Sequence, residues 1–232
     1  EDVISDWWVQ GESLGPELLG FSPTITSEIA SLPEVEDVLA MQYSNEGLRT
    51  VEDKQVKRIY SADLSSVSNY FNIGLEESDS SLLEDKALFI HQDEANKYDL
   101  EVGSFINVEF MDQTQMDLVV AGIFSSKSVI DSGWLLDSSV YSSNLNLAPQ
   151  TDDFVGVLIK NGIGESQARA ALESVLVDYE QVRAQTKDEV KDEAENQINQ
   201  TVTIVSVLLF ISVVLAVLGV AITLALSVFE RT

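Results

Sequence analysis

The sequence predicts an α+β chain: a split strand–helix–strand sheet domain with an inserted β-rich subdomain, followed by a long helix that continues into one transmembrane helix. Three observations carry that reading. Strand–helix–strand patterns open the chain and return at residues 154–185. Between them lies a section whose apolar residues alternate with a period of two. From Ile198 to Phe229 there is no charged residue at all.

Taken in order, Asp6 to Gln10 reads as a short strand closed by Gly11. Ser22 before Pro23 is a helix start, with serine as N-cap and proline at the first position. Ile25, Ile29 and Leu32 share one face of that helix, and Pro33 ends it. Val35 to Tyr43 is a strand, Asn45-Glu46-Gly47 a turn, and Val51 to Tyr60 a second extended stretch.

Ser78 to Glu84 is a polar, serine-rich connector. Ala87 to Ile90 is a short buried strand, and Gln92 to Lys97 a helical turn. Gly103 introduces a hairpin of Ser104 to Phe110 and Met116 to Phe124, looped through Met111 to Gln115. Ile106, Val108 and Phe110 alternate with Phe105, Asn107 and Glu109, as a half-buried strand requires.

Phe154 to Lys160 begins the second strand–helix–strand pattern. Ala168, Ala171, Leu172, Val175 and Leu176 hold helical spacing after Gly164, and Val182 to Gln185 is the last strand. The two patterns are expected to share one sheet. Thr186-Lys187-Asp188-Glu189 has the form of a capping box, with Thr186 and Glu189 as its two members. No Gly or Pro follows before Gly219, so the helix is expected to run unbroken into the apolar segment. The organisation is therefore 1–77 as the first half of the α/β domain, 78–150 as the β-rich insert and 151–185 as the second half. A helical stalk at 186–200, a span at 201–229 and the start of a further segment at 230–232 complete it.

Thr201 to Phe229 would measure about 43 Å as a helix, more than the ~30 Å hydrocarbon core of a bilayer requires. Membrane lipid is thus the expected surrounding of residues 201–229. Ser212, Ala216, Gly219, Thr223 and Ser227 recur at spacings of four, three, four and four, placing small residues along one stripe where a neighbouring helix can approach. The stalk would extend about 22 Å beyond the bilayer. Such a helix either transmits motion of the span or serves as a plain tether.

Net charge is confined to the other part. Thirty-nine acidic and 13 basic side chains give −26; without Glu230 and Arg231, residues 1–197 hold 38 and 12, still −26. Such a surface argues against nucleic acid as a partner, which needs clustered cations. The absence of Cys excludes disulfides and thiolate chemistry, and His91 is the one imidazole. No P-loop, nucleophile elbow or H-E-x-x-H occurs, so neither an enzyme nor a bound cofactor or metal is expected. His91 reads as structural. Glu76-Glu77-Ser78-Asp79, Asp152-Asp153 and Asp188-Glu189 read as solvated faces, not calcium loops. Alternation turns at least one of Trp7 and Trp8 inward.

The run Leu218 to Thr232, LGVAITLALSVFERT, resembles the end of the second span in MacB-like (FtsX-like) ABC-transporter permeases. Gly219, Thr223, Leu224, Leu226, Ser227, Val228, Glu230, Arg231 and Thr232 carry the likeness. Leu32-Pro33-x-Val35, Leu100-x-Val102-Gly103 and Val120-x-Gly122-Ile123 add to it in the rest of the chain. The resemblance implies a porter-like extracytoplasmic domain between the first and second spans of a four-span permease. It implies a dimer of two permease copies, an ABC ATPase as partner, and spans that pass ATP-driven motion outward. Lys187 and Lys191 before the span and Arg231 after it leave orientation open by charge; the resemblance puts residues 1 to about 197 outside and Glu230 to Thr232 in the cytoplasm. Glu1 and Thr232 read as fragment boundaries. Two other readings stand beside this one: an FtsX-type regulator of a cell-wall hydrolase, and a single-span, tail-anchored surface receptor or adhesin.

Overall fold

The computed structural model describes residues 3–11, 13–14, 17–83, 86–127, 130–144 and 151–229. In chain order the elements begin with β1 (Trp7–Gly11), β2 (Ser13–Leu14), β3 (Glu17–Leu18), α1 (Pro23–Ala30), β4 (Val35–Thr50), β5 (Val56–Ala62), α2 (Val67–Tyr70) and β6 (Leu75–Ser78). Next come β7 (Ala87–His91), α3 (Gln92–Lys97), β8 (Phe105–Phe110), β9 (Gln115–Phe124), β10 (Trp134–Asp137) and α4 (Ser138–Asn144). The last are β11 (Phe154–Ile159), α5 (Glu165–Leu176), β12 (Val182–Thr186) and α6 (Lys187–Phe229).

The two strand–helix–strand patterns do share one sheet. Its first four strands run antiparallel in the order β12-β1-β11-β4, the arrangement of a β-α-β-β-α-β unit. Ser22 caps α1 by accepting from Thr24 N at 3.3 Å, and Pro23 fills the first turn where its missing N–H costs nothing. Ile25 and Ile29 of α1, with Ala168, Leu172 and Leu176 of α5, close over Trp7, Val9, Val35, Val155, Val157 and Val182. The opposite face of these strands is covered as well. Trp8 packs edge-on to Phe71, with ring centroids 5.4 Å apart, and against Phe154 at 5.3 Å. Both tryptophans are therefore buried, because this part of the sheet is covered on two sides.

Beyond β4 the strands curl round. The sheet continues β5-β10-β7-β9, and β8 pairs with β9 on one side and with residues 48–50 of β4 on the other. Six strands thus close into a small barrel, which removes the free edges such strands would expose. Leu48, Ile59, Leu88, Ile90, Ile106, Val108, Phe110, Leu118, Val120, Trp134 and Leu136 fill it. The barrel takes Leu48 and Ile59 from ahead of the serine-rich connector, so its interior begins inside β4.

The expected turn at Asn45-Glu46-Gly47 is not a turn. β4 runs straight through it for 16 residues, with a register shift against β5 between Ser44 and Leu48. An irregularity of this kind bends a strand and increases its twist, which lets β4 leave the flat sheet and enter the barrel. Gly47 is needed for packing and not for turning: a Cβ there would lie 2.2 Å from Ile59 Cγ1. Gly47→Ala is expected to cost about 2–3 kcal/mol by overpacking, read as a lower urea midpoint at unchanged slope. The true turn lies later, at residues 51–55, where Lys54 takes φ +53°. The second stretch accordingly starts at Val56 instead of Val51.

By compactness the chain forms two units, Glu1–Lys187 and Asp188–Thr232. The second is α6 alone among the described residues.

Candidate functional site

Helix α6 holds every site residue expected from sequence except Thr186. It is one unbroken α-helix of 43 residues, about 64 Å at 1.5 Å per residue. Val202–Ile222 is long and apolar enough to cross a membrane, and none of it is buried within the chain. Its hydroxyl side chains turn back onto the helix. Thr203, Ser206 and Ser212 donate to the carbonyls of Asn199, Val202 and Leu208 at 2.8, 2.8 and 2.9 Å. This satisfies each hydroxyl within the helix, as hydrocarbon surroundings demand.

Ser212, Ala216 and Gly219 are exposed. Thr223 and Ser227 continue the same stripe in α6, though their side chains lie outside the described ones. Beyond its own helix backbone and chain neighbours, a Cβ at Gly219 would meet no atom of the described residues within 4 Å. Packing among the described residues therefore gives no reason for glycine at a position where it weakens a helix by ~1 kcal/mol. Glu230, Arg231 and Thr232 lie outside the described residues.

Thr186 is the last residue of β12, opposite Trp7 of β1, and Lys187 is the first residue of α6. Strand passes to helix with no loop between. Asp188 and Glu189 occupy the first turn, where the helix dipole favours negative charge.

The acidic pair Asp152-Asp153 is not a solvated face. Both residues are buried, at 3% and 8% exposure, at the entry to β11. Asp152 bridges to Phe21 through paired backbone bonds of 2.8 and 2.9 Å. Its carboxylate accepts from Thr26 Oγ1 of α1 at 2.5 Å and from Gln42 Nε2 of β4 at 2.8 Å. Asp153 Oδ2 accepts from Tyr43 N at 2.7 Å. Burial pushes the Asp153 carboxyl up to about 6, against the lowering effect of the Tyr43 N–H, and the neighbouring Asp152 adds to the rise. The pair ties α1, β4 and β11 together beside a cleft of about 360 Å³ lined by Gln42, Ser138, Ser139, Thr151 and Asp152. Two aspartates ahead of an apolar strand look alike in sequence whether solvated or buried. Only the partners distinguish them.

The clusters at Glu76-Glu77-Asp79 and Asp188-Glu189 are exposed, as expected of solvated faces. Among the described residues no three acidic or imidazole side chains converge as metal ligands would. His91 is buried and structural: its Nδ1 accepts from Asp93 N at 3.0 Å, capping α3, while Nε2–H donates to Ser125 O at 3.0 Å. Both ring nitrogens are thus taken up within the chain.

No protein-family model matches the sequence, and no curated protein does. Solved structures do match in fold. The periplasmic region of MacB from Actinobacillus actinomycetemcomitans superposes with a TM-score of 0.63 at 11% identity, covering 84% of this chain and 94% of that one. The extracellular domain of the noncanonic ABC-type transporter YknZ from Gram-positive bacteria gives 0.56 at 12% identity, covering 78% and 100%. The chain thus shares the fold of the MacB periplasmic region, the fold expected from the resemblance of its sequence.

Proposed function

We propose that this chain is the extracytoplasmic domain and second span of an ABC-transporter permease, a non-enzymatic part that couples the motion of an ATPase partner to events outside the membrane. The fold likeness supports the permease reading, and the unbroken helix α6 supports the coupling. A helix without Gly, Pro or loop from Lys187 to Leu218 resists bending, so displacement of its apolar end is carried to β12 and not absorbed. Residues 1–77, 78–150 and 151–185 form the outer domain in this reading, 186–200 the stalk and 201–229 the lipid-embedded span. The outer domain, to about residue 197, lies outside the cell membrane. The stripe of Ser212, Ala216, Gly219, Thr223 and Ser227 faces a neighbouring helix of the permease, either in the same copy or in the second copy of the dimer.

The test is an insertion of Gly-Ser-Gly-Ser after Glu195. Residues 1–232 hold no cysteine, so Asp112→Cys provides a spin-label site on the β8–β9 hairpin once any cysteines elsewhere in the transporter are replaced. In the assembled transporter, the distance between the labels of the two copies is expected to change when ATP binds. The insertion should abolish that change while tryptophan fluorescence and ATP hydrolysis persist. A change of the same size with and without the insertion would end the mechanical reading.

A further inference from the structure

Within a chain of net charge −26, residues 49–58 carry four cations, Arg49, Lys54, Lys57 and Arg58, against two acids, Glu52 and Asp53. Two of the cations are paired inside the protein: Lys57 Nζ lies 3.1 Å from Glu94 Oε2, and Arg58 Nη2 lies 3.1 Å from Asp131 Oδ2. The other two are not. Among the described residues neither Arg49 nor Lys54 has a carboxylate within 4.0 Å. Arg49 Nε is moreover buried with no hydrogen-bond acceptor. In a protein with three acids for each base, an unpaired guanidinium is not explained by a shortage of carboxylates.

Both cations line one cleft of about 250 Å³, together with Thr50, Val51, Glu109 and Gln115. Arg49 stands opposite Glu109 in the β4–β8 register, yet Glu109 Oε2 accepts from Gln115 Nε2 at 3.2 Å and makes no ion pair with Arg49. The loop carrying Lys54 is fixed from behind by Asp53. That carboxylate accepts from Thr50 Oγ1 at 2.6 Å, Gln55 N at 2.9 Å, Lys97 Nζ at 2.7 Å and Tyr98 Oη at 2.5 Å. Asp53 is thereby taken up by other partners, and the exposed Lys54 is left without a carboxylate among the described residues.

The charges lining the cleft sum to +1, from Arg49 and Lys54 less Glu109, which suits one negative charge better than two. Val51, 41% exposed, supplies an apolar wall. We infer that this cleft binds a short-chain monocarboxylate, its carboxylate bridging Arg49 and Lys54 and its alkyl stem lying on Val51. The planar, always-charged guanidinium suits a carboxylate better than a point charge alone would.

The experiment follows the Arg Nε–H resonances of the full chain in micelles of an uncharged sugar detergent. The chain has five arginines, and Arg49→Gln identifies the Arg49 signal by its loss. Butyrate is expected to shift that signal saturably, with a midpoint on the order of a millimolar. Lys54→Gln, which leaves Asp53 and its partners in place, should raise the midpoint about tenfold. A shift that grows linearly without saturating, or an equal midpoint in Lys54→Gln, overturns the site. Inorganic phosphate saturating well below butyrate overturns the carboxylate assignment.

Discussion

Replacing Trp134 by alanine is expected to destabilise the barrel by about 3–5 kcal/mol, the range for deleting a large buried aromatic. Trp134 is fully buried within the barrel core, and Tyr98 meets its ring edge-on at 6.2 Å between centroids. Its Nε1–H also donates to Glu94 Oε2 at 3.2 Å, the same oxygen that Lys57 approaches at 3.1 Å. Alanine leaves both a void and a partly buried ion pair short of one donor. Trp134→Phe keeps most of the volume and should cost about 1–2 kcal/mol.

Hydrogen exchange of the full chain in detergent reads where the loss falls. Because the barrel and the four-stranded sheet have separate cores, amides of Ile59, Leu88 and Val108 should lose protection in Trp134→Ala. Those of Val9, Val155 and Val157 should keep theirs. Equal loss at all six positions would show that the strand shared by both, β4, welds them into one cooperative unit.

The second expected result concerns pH. The Asp153 carboxyl lies near 6 in the folded chain against an ordinary 3.8, so the folded state holds its proton more tightly than the unfolded state does. Stability contributed by the protonated form is complete below pH 4 and is lost as pH rises through 6. Above that, the buried charge costs about 3 kcal/mol at most. Asp153→Asn removes the charge while retaining an oxygen for the Tyr43 N–H. It should raise stability by about 1–3 kcal/mol at pH 7.5, change little at pH 4, and flatten the profile between. Urea unfolding followed by tryptophan fluorescence measures this directly, since Trp7, Trp8 and Trp134 all lie in the unit Glu1–Lys187. A variant less stable than the parent at pH 7.5 would mean that the ionised carboxylate, with its Tyr43 bond, is a net stabiliser.

Much of this architecture is legible without coordinates because its signals are local. Ser22-Pro23 states where α1 begins through one cap and one ring. The alternation of Ile106, Val108 and Phe110 fixes which face of β8 turns inward, since a strand has a period of two. The uncharged run of α6 needs only length and composition to be recognised, and the lack of a breaker before Gly219 already implies that the stalk and span are one helix. The short strand β10, four residues at Trp134–Asp137, is too brief to show a period, so no local signal marks it.

What the sequence determined by itself is therefore the inventory: two strand–helix–strand units, a β-rich middle and a membrane-length helix. Tertiary structure alone decided which strands meet. Periodicity assigns a strand its faces but not its neighbours, so nothing local announces that Leu48 pairs with Phe110 and closes the barrel. The same limit explains Asn45-Glu46-Gly47, whose turn chemistry is overridden because Ile59 of the adjacent strand occupies the space above Gly47. It also explains Trp8 and Asp152, buried by Phe71 and by Thr26 and Gln42 from elements far off in the chain. Burial of a side chain is a property of what packs over it, and that is settled only when distant segments come together.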